Sequence, residues 1–249
     1  MVDPKVIGII QARMGSSRLP GKILAPIIEN LSLLAVLAKR VLSEDLEWWI
    51  ATTSEPSDDI IEVWADELGL KVYRGETEDV LSRFLAIAKL TQSDWVIRVT
   101  ADDPFMDRKT VNRLIEMIPS LENDIDLVCD IPGKKKFPLG YIPELVRVDS
   151  LTRIAELIPE SERFHRQHVT SYLLQGNVRQ INYPNTPERP SWRWTVDTLE
   201  DLMLTREVFQ LVRSNWQNVS YEEIVSIIDR NPSLLEINSS IRQKSIEEG

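Results

Sequence analysis

Short apolar runs alternate along the first half of the chain with longer segments in which apolar residues recur at helical spacing. A run such as 6–10 is typical of a strand that is buried on both faces. The runs predict strands at 6–10, 48–53, 71–73, 95–99 and 125–129, and the segments between them predict helices at 31–42, 57–68, 77–90 and 110–118. Because parallel strands need a crossover between them, this alternation predicts an α/β fold with a mostly parallel central sheet and helices on both faces.

The regular alternation of strand and helix patterns ends after residue 129. We therefore expect a smaller antiparallel segment in the C-terminal half. The pattern there predicts strands at 144–148 and 178–183 and helices at 150–158, 162–174, 198–212 and 221–228. The basic turn at 132–136 is either a solvated hairpin tip or an anion contact. Because no repeat or clean linker is visible, residues 1–237 are predicted to form a single domain, and the polar tail 238–249 is predicted to fray.

The segment 11–22 follows the first strand and has a composition that suits an anion better than a core. It contains two glycines, two serines, two arginines, a proline and a lysine. Glycine lets backbone N–H groups approach a ligand closely, while hydroxyl and cationic side chains bind phosphate oxygens. The candidate phosphate-binding residues are Arg13, Gly15, Ser16, Ser17, Arg18, Gly21 and Lys22. An ordinary basic surface turn is the alternative.

Two familiar phosphate-binding motifs are absent from this segment. A P-loop follows the pattern GxxxxGK[ST]. Here five residues separate Gly15 from Gly21, and Ile23 follows Lys22. The dinucleotide fingerprint GxGxxG is also absent. The segment is therefore predicted to be a different kind of phosphate-binding loop, lying beyond the carboxyl ends of the parallel strands.

A second pattern, Arg-x-Thr-x-Asp, occurs at 98–102 and again at 193–197. Since side chains alternate along a strand, each segment is predicted to be a strand with one apolar and one polar face. Asp102 and Asp197 would continue the polar faces at the strand ends. If these ends meet, the carboxylates repel each other unless a cation or a proton lies between them, and Mg²⁺ prefers such oxygen ligands. Alternatively, each aspartate is only a turn or cap residue.

The chain carries a formal net charge of −10. This acidity argues against a nucleic-acid partner, since phosphate backbones require a basic footprint. The single cysteine, Cys129, cannot form an internal disulfide, which fits a reducing cytoplasm, and it is predicted to be a small core residue. No signal peptide is expected, and no apolar run approaches membrane-spanning length. We therefore expect a cytoplasmic protein whose partners are small molecules.

The segment Gln-Ala-Arg-Met-Gly-Ser-Ser-Arg-Leu-Pro-Gly-Lys at 11–22 resembles the opening of the cytidylyltransferases that activate acidic sugars. That family includes the acylneuraminate and 3-deoxy-manno-octulosonate cytidylyltransferases. The chain is most similar to the spore-coat polysaccharide branch, and the resemblance covers most of the chain, up to about Val212. It implies a Rossmann-like nucleotidyltransferase fold of the GT-A-like type, and a homodimer.

The resemblance also implies an activity, the transfer of CMP from CTP to the hydroxyl of an acidic or modified sugar, with release of pyrophosphate. Mg²⁺ would be the cofactor, held by Asp102 and Asp197, with Ala101 in place of the usual glycine. Arg13 and Lys22 would bind the phosphates, and with the two aspartates they form the predicted catalytic set. The predicted nucleotide-binding residues are Ile10, Gln11, Ala12, Arg13, Gly15, Ser16, Ser17, Lys22 and Arg74.

Two further segments match the family. The segment 74–83 resembles a second hallmark of the spore-coat branch, and Arg74 is predicted to contact the nucleotide or the substrate. Arg83 either shares that role or forms an ion pair with Asp79 on the helix surface. The segment 166–170 resembles Arg-Glu-His-Val-Thr, a sugar-side element, although a helix with one face in solvent is the alternative. The predicted substrate-binding residues are Arg98, Glu144, Arg166, His168 and Arg193.

The chain departs from the family at 137–144, where Phe-Pro-Asp-Gly followed by further acids is frequent. Here Leu139 and Ile142 replace polar residues, and Glu144 remains. This region is expected to border the sugar pocket. Two rival functions stay open, a sugar-1-phosphate nucleotidyltransferase and a non-catalytic nucleotide- or sugar-binding partner of a polysaccharide assembly. The altered segment is the main support for the second rival.

Overall fold

The computed structural model describes residues 3–181 and 186–243. Its strands are β1 (Val6–Gln11), β2 (Pro26–Ile28), β3 (Leu31–Ser32), β4 (Glu47–Thr53), β5 (Lys71–Gly75), β6 (Trp95–Thr100), β7 (Leu127–Cys129), β8 (Glu144–Arg147) and β9 (Val178–Gln180). Within the described residues, seven strands form one sheet in the order β5-β4-β1-β6-β8-β7-β9. The remaining two, β2 and β3, form a small antiparallel hairpin.

Parallel pairing dominates the large sheet. β5, β4, β1 and β6 run parallel to one another, whereas β8 is antiparallel to both β6 and β7, and β9 is parallel to β7. The prediction of a mostly parallel α/β sheet with an antiparallel segment in the C-terminal half is confirmed. The hairpin of β2 and β3 was missed, because its strands are too short to show an alternating pattern.

The helices cover both faces of the sheet. They are α1 (Leu33–Val41), α2 (Asp59–Glu67), α3 (Val80–Thr91), α4 (Arg108–Met117), α5 (Val148–Leu157), α6 (Arg163–Gln167), α7 (Leu199–Leu211) and α8 (Tyr221–Arg230). One core cluster contains buried residues of α1, α2, α4, α7 and α8, and a second contains those of α3 and α5. Burial of apolar side chains in these two layers is the main force that holds the helices against the sheet.

Neighbouring residues of β1 contribute to opposite layers, as the geometry of a strand requires. Ile7 and Ile9 belong to the core cluster of α3 and α5, whereas Ile10 belongs to the cluster of α1. Gly8 lies so close to Trp48 that a Cβ atom at this position would be 2.3 Å from the indole ring. The apolar run at the start of the chain is therefore a central strand whose side chains fill both layers.

The central parallel strands end together. Gln11 is the last residue of β1, and it is in register with Thr100 of β6 and with Ala51 of β4. Ala101 donates its N–H to the carbonyl of Gln11 at 2.9 Å, which continues the pairing one residue past β6. The segment 12–22 therefore leaves the sheet at the shared carboxyl edge, where ligands of such sheets bind.

The segment 193–197 is not the strand that the sequence predicts. Two of its backbone N–H groups converge on the carbonyl of Leu139, at 2.8 and 3.1 Å, and a third donates to the carbonyl of Asp102 at 2.8 Å. Gly140 permits this crossing, because it has φ +86° and a Cβ atom there would lie 2.6 Å from the backbone nitrogen of Thr195. The segment thus crosses above the end of β6 instead of extending the sheet.

Helix boundaries also differ from the predictions. α1 begins two residues late, after the hydroxyl of Ser32, which caps it. α2 begins at Asp59, after a 3-10 turn at Pro56–Asp58, where the helix was predicted to begin at residue 57. α3 begins three residues later than predicted, after Asp79, whose carboxylate caps it. A side chain that accepts from a free N–H of the first turn sets the start of α1 and α3, and the 3-10 turn sets the start of α2. The sequence offers several polar residues near each helix start, so it does not decide which one is the cap.

The single helix predicted at 162–174 is broken. α6 covers only Arg163–Gln167, and a separate 3-10 turn covers Leu173–Gln175. Val169 lies between them with φ +40°, a left-handed conformation that a helix cannot contain. The break is the local feature that the helical spacing of apolar residues did not reveal.

The C-terminal region is better anchored than the predicted tail. A 3-10 turn at Pro232–Glu236 places Leu234 in the core, and Asn238, where the tail was predicted to begin, is only 5% exposed. Residues 182–183 of the predicted strand 178–183 lie outside the described residues, as does the tail from 244 onward. Among the described helices, none has the length and apolar character needed to cross a membrane.

Candidate active site

A cavity of about 290 Å³ opens at the carboxyl ends of β1 and β6, where the cationic loop 12–22 leaves the sheet. It is lined by Gln11, Ala12, Arg13, Gly15, Ser16, Ser17, Arg18, Lys22, Ile23, Val80, Thr100, Ala101, Asp102, Gln167, His168 and Asp197. Most of the predicted catalytic and nucleotide-binding residues therefore share one surface. A larger cavity of about 480 Å³ beside α4 contains none of them, so the candidate site is the smaller one.

Backbone hydrogen bonds and one buried acid fix the cationic loop. Gly21 adopts φ +72°, a left-handed conformation that favours glycine, and donates its N–H to the carbonyl of Met14 at 3.1 Å. Met14 in turn donates its N–H to the carboxylate of Asp58 at 2.8 Å. Asp58 is buried and also accepts from the hydroxyl of Thr52 at 3.1 Å, which ties the loop to the end of β4. Asp58 lies at the start of the predicted helix 57–68, and nothing in that pattern indicates this role.

The two aspartates predicted to hold a metal flank a single cation. The Nζ atom of Lys22 lies 2.5 Å from Oδ2 of Asp102 and 2.8 Å from Oδ1 of Asp197. Burial alone would lower the pKa of Lys22, but the two carboxylates outweigh burial and raise it. The structure thus brings Asp102 and Asp197 together as the sequence pattern suggested, although only the first of them follows a strand.

Asp197 is surrounded by positive charge. Its Oδ2 atom lies 2.8 Å from the Nη2 atom of Arg18 and 2.6 Å from that of Arg193, and its Oδ1 atom faces Lys22. Burial raises the pKa of a carboxyl group, but these cations outweigh it and hold the pKa of Asp197 below its usual value. Arg13 also lines the cavity, and no described residue forms an ion pair with it. The cations therefore have capacity left for an anionic ligand.

Arg193, which is predicted to bind substrate, contacts two acids in the structure. Besides its contact with Asp197, its guanidinium lies 2.9 and 3.0 Å from the two carboxylate oxygens of Asp201. Asp201 is buried and forms a capping box with Thr198 at the start of α7. The sequence signal for Asp201 was its position three residues after Thr198, which is the spacing of a capping box.

A second polar cluster lies beside the cavity and is joined to its lining through Gln11. Arg98 donates to Glu144 at 2.8 Å and to the side-chain oxygen of Gln11 at 3.1 and 3.3 Å. The hydroxyl of Thr170 donates to the same oxygen of Glu144 at 2.7 Å. His168 lines the cavity here, and burial together with Arg98 lowers its pKa below the usual value, so the imidazole stays neutral to lower pH than usual. The cluster is compact and its charges largely neutralise each other.

Six of the predicted catalytic, nucleotide-binding and substrate-binding residues lie outside the cavity lining. Arg98, Glu144 and Arg193 are described above, and the other three have different surroundings. Arg74, on the edge strand β5, is held by Asp59 at 2.7 Å and by Glu62 at 2.8 Å, and β4 separates its strand from β1. Arg166 pairs with Asp79 at 2.6 Å, which joins α6 to the start of α3. The third residue, Ile10, has a fully buried side chain. Arg74 and Arg166 thus have structural partners where ligand contacts were predicted, and Ile10 can offer only its backbone.

The predicted ion pair of Arg83 with Asp79 is wrong, because Asp79 pairs with α6. Arg83 points instead towards Gly75, and its side chain is 1% exposed with Nε and Nη1 lacking a hydrogen-bond partner. Burial and the nearby Arg13 lower its pKa to about 10. Arg83 therefore remains a cation at neutral pH.

The pair Asp102 and Asp197 suits Mg²⁺, which nucleotide-binding sites usually hold with one or two carboxylates and the phosphates of the nucleotide. Asp102 and Asp197 present one oxygen each to the same cation position. Among the described residues, no group of three or more His, Cys, Asp or Glu could hold a metal alone. Mg²⁺ typically takes one or two carboxylates and completes its shell with phosphate oxygens and water, so two acids suffice if a nucleotide supplies the rest.

A mostly parallel α/β sheet with a cationic loop and paired acids at its carboxyl edge defines a nucleotide-binding protein of the nucleotidyltransferase kind. The sequence model of the cytidylyltransferase family matches residues 7–178, and the chain belongs to that family. The resemblance of the loop 11–22 to this family is thereby confirmed. Asp197, Arg193 and Asp201 lie beyond the matched residues, so their roles are argued from geometry.

Relatives and solved structures agree with this family. The chain is 32% identical to the spore coat polysaccharide biosynthesis protein SpsF of Bacillus subtilis over 237 residues, covering 91% of this chain and 95% of SpsF. It is 30% identical over 118 residues to the 8-amino-3,8-dideoxy-manno-octulosonate cytidylyltransferase of Shewanella frigidimarina, covering 45% and 47% of the two chains. The structure of a cytidylyltransferase from Leptospira borgpetersenii superposes with a TM-score of 0.86 at 28% identity, covering 96% of this chain and all of that one.

Proposed function

We propose that the protein transfers CMP from CTP to the hydroxyl of an acidic or modified sugar, with release of pyrophosphate and with Mg²⁺ as cofactor. The observation that carries the proposal is the convergence of Asp102 and Asp197 on one cation position beside the cationic loop. Membership of the cytidylyltransferase family supports CTP as the donor. The names of the relatives from Shewanella and Bacillus support a sugar acceptor and a role in polysaccharide biosynthesis.

In this reaction the sugar oxygen attacks the α-phosphorus of CTP, the bond to the bridging oxygen breaks, and pyrophosphate leaves with additional negative charge. Arg13, Arg18 and Lys22 line the cavity where that charge would develop. The backbone N–H groups of the loop between Gly15 and Gly21 add further donors. Because the chain needs no covalent intermediate for this chemistry, its residues act by positioning and by neutralising charge.

Asp102 and Asp197 would hold Mg²⁺, which when bound supplies positive charge to the phosphate oxygens and favours deprotonation of the attacking hydroxyl. The ammonium of Lys22 lies between the same carboxylate oxygens. One position cannot hold both cations. Metal binding and the release of Lys22 for contact with the phosphates are therefore expected to go together.

The acceptor is expected on the side of Arg98, Glu144 and His168. Glu144 also lines a neighbouring cavity of about 190 Å³, whose walls include the apolar residues Leu139 and Ile142. The pair of Arg98 and Glu144 thus lies between the nucleotide side and a partly apolar compartment. If an acceptor places its hydroxyl in the larger of these two cavities, the rest of the molecule would contact polar and apolar residues of the smaller one.

A panel of CTP, UTP, GTP and ATP, each with Mg²⁺ and a set of acidic and amino sugars, tests the proposal. We expect pyrophosphate release with CTP and one acceptor, and mass spectrometry should show a product heavier than the acceptor by one CMP unit. Turnover of a sugar 1-phosphate with UTP or GTP would instead identify the first rival, a sugar-1-phosphate nucleotidyltransferase. The same panel with Asp102→Asn is the control for contaminating enzymes.

The non-catalytic alternative remains a second candidate because of one observation, the apolar residues Leu139 and Ile142 at the expected acceptor side. Calorimetry with CTP and Mg²⁺ separates it from the enzyme. Binding of CTP without pyrophosphate release from any acceptor would favour a nucleotide-binding partner. Failure to bind CTP at all would contradict both the proposal and this alternative.

A further inference from the structure

The C-terminal segment reaches the acids of the candidate site. The side-chain amide of Asn238 donates to Oδ1 of Asp201 at 2.9 Å and to the carbonyl of Arg193 at 3.1 Å. Gln243, five residues further on, accepts a hydrogen bond from the guanidinium of Arg193. Asn238 is 5% exposed, so its amide is committed to these two partners rather than to water.

Asp201 links this amide to Arg193, because it accepts hydrogen bonds from both side chains. Its Oδ1 atom is shared between Asn238 and the Nε atom of Arg193, while its Oδ2 atom accepts from the backbone N–H groups of Asp197 and Thr198 at 3.0 Å each. With both oxygens engaged, the carboxylate plane of Asp201 is fixed. A planar guanidinium that binds such a carboxylate through two N–H groups is fixed in turn.

Arg193 then sets the orientation of Asp197. Its Nη2 atom takes one carboxylate oxygen, Oδ2, at 2.6 Å, and Arg18 binds the same oxygen at 2.8 Å. Only Oδ1 is left to face the cation position that Asp197 shares with Asp102. The contacts from Asn238 through Asp201 and Arg193 therefore select which oxygen of Asp197 a metal ion would meet.

The C-terminal turn does not depend on this amide for its attachment. Leu234 is 8% exposed in the main core cluster, and Leu235 and Ile237 pack against that cluster. These apolar contacts attach the segment to the core without the side chain of Asn238. Replacing Asn238 should therefore remove its contact with Asp201 and leave the segment attached.

We infer that Asn238 is a positioning residue of the metal site, acting through Asp201 and Arg193 to orient Asp197 for a divalent cation. The inference rests on the proposed function, because it presumes that Asp102 and Asp197 bind a metal–nucleotide complex. Outer contacts of this kind typically change metal affinity by about 10- to 100-fold when they are removed. Residues 238–243 are thus part of the active site.

Binding of Mn²⁺ to the full chain with CTP and without acceptor tests the inference, read by electron paramagnetic resonance. Asn238→Ala should weaken Mn²⁺ binding by about tenfold while CTP binding without metal is unchanged. Asn231→Ala is the matched control, because the amide of Asn231 donates only to the nearby carbonyl of Ile227 at the exposed end of α8. This control should leave both affinities unchanged.

A second variant keeps the test valid if Asn238→Ala folds poorly. Gln243 is exposed, so Gln243→Ala should fold normally and weaken Mn²⁺ binding in the same direction by a smaller factor. Excess Mg²⁺ should restore the turnover of Asn238→Ala, which a purely structural defect would not allow. Unchanged Mn²⁺ affinity in both variants would overturn the inference and leave the proposed function intact. Failure of the wild-type chain to bind Mn²⁺ with CTP would overturn both.

Discussion

On the nucleotide side of the cavity, Arg13 has no ion-pair partner among the described residues, and Arg18 and Lys22 both contact Asp197. On the acceptor side, Arg98 is paired with Glu144 at 2.8 Å and also contacts the uncharged Gln11. The two sides are adjacent, because Gln11 lines the cavity and accepts from Arg98. They differ in charge balance: the nucleotide side has more cations than acids, whereas Arg98 and Glu144 on the acceptor side neutralise each other.

This difference indicates how each side selects its ligand. Arg13, Arg18 and Lys22 face only two acids, Asp102 and Asp197, so the nucleotide side keeps an excess of positive charge that attracts a polyanion such as a triphosphate. Charges that are already paired offer little attraction, so the acceptor side must select by shape and hydrogen bonding. Changes on the nucleotide side should therefore affect metal, nucleotide and turnover together. Changes on the acceptor side should affect the acceptor alone.

The largest effect is expected from Asp102→Asn, which keeps the shape of the side chain and removes one of the two metal ligands. Turnover should fall by about 10³-fold or more, because charge stabilisation by a metal ion supplies several kcal/mol. Pyrophosphate release at saturating CTP measures it, and Asp229→Asn, which removes an exposed acid that pairs with Arg189, is the control. Near-normal release from Asp102→Asn would remove the metal role of this residue.

Lys22→Ala should separate two properties that most variants change together. Turnover should fall by about 10²- to 10³-fold, because a cation that stabilises the leaving group is lost. Mn²⁺ binding without nucleotide should become tighter, because no ammonium competes for the oxygens of Asp102 and Asp197. Lys71→Ala, at an exposed pair with Glu47, serves as control. A weaker Mn²⁺ affinity in Lys22→Ala would show that the two cations do not share a position.

Glu144→Gln tests the acceptor side. Replacing one partner of a charge-assisted hydrogen bond should raise the KM for the acceptor by about tenfold, while the KM for CTP stays unchanged. Steady-state kinetics with each substrate varied in turn measures both constants. If the KM for CTP rises and that for the acceptor does not, the two sides of the cavity have been assigned in the wrong order.

The smallest effect concerns stability and pH. Because burial and Arg98 lower the pKa of His168, the unfolded chain binds a proton at this residue more readily than the folded protein does. The free energy of unfolding should therefore decrease as the pH falls below about 6.5, the usual pKa of histidine. His168→Gln should flatten this part of the profile in urea unfolding measured between pH 7 and 5. An unchanged slope would mean that His168 titrates normally.

The repeating order of strands and helices was predictable because each element is built from a contiguous apolar pattern. The cationic loop 11–22 was predictable for a similar reason, since its chemistry lies in one continuous segment. The crossing of 193–197 above Asp102 was not, because it depends on hydrogen bonds to Leu139, a residue far away in the sequence. The break at Val169 and the burial of Asn238 likewise follow from tertiary contacts.

Individual roles were harder to predict than positions. Arg74 and Arg193 carry the charge that a substrate contact requires, yet nearby acids hold both of them. Asp58 and Asp201 resemble ordinary residues of helix starts, and only the fold shows that they fix the loop and the orientation of Asp197. A pattern of residues thus indicates which chemistry is available, whereas the partners of each residue decide which part of it is used.

The central claim is that Asp102 and Asp197 together hold a divalent cation against the triphosphate of CTP. A crystal structure of the protein with CTP and Mn²⁺, with the ion located by its anomalous scattering, tests it most directly. The account predicts one anomalous peak between the two carboxylates, with the triphosphate along the loop from Arg13 to Lys22. A peak elsewhere, or CTP bound with Lys22 still between the two aspartates, would contradict it.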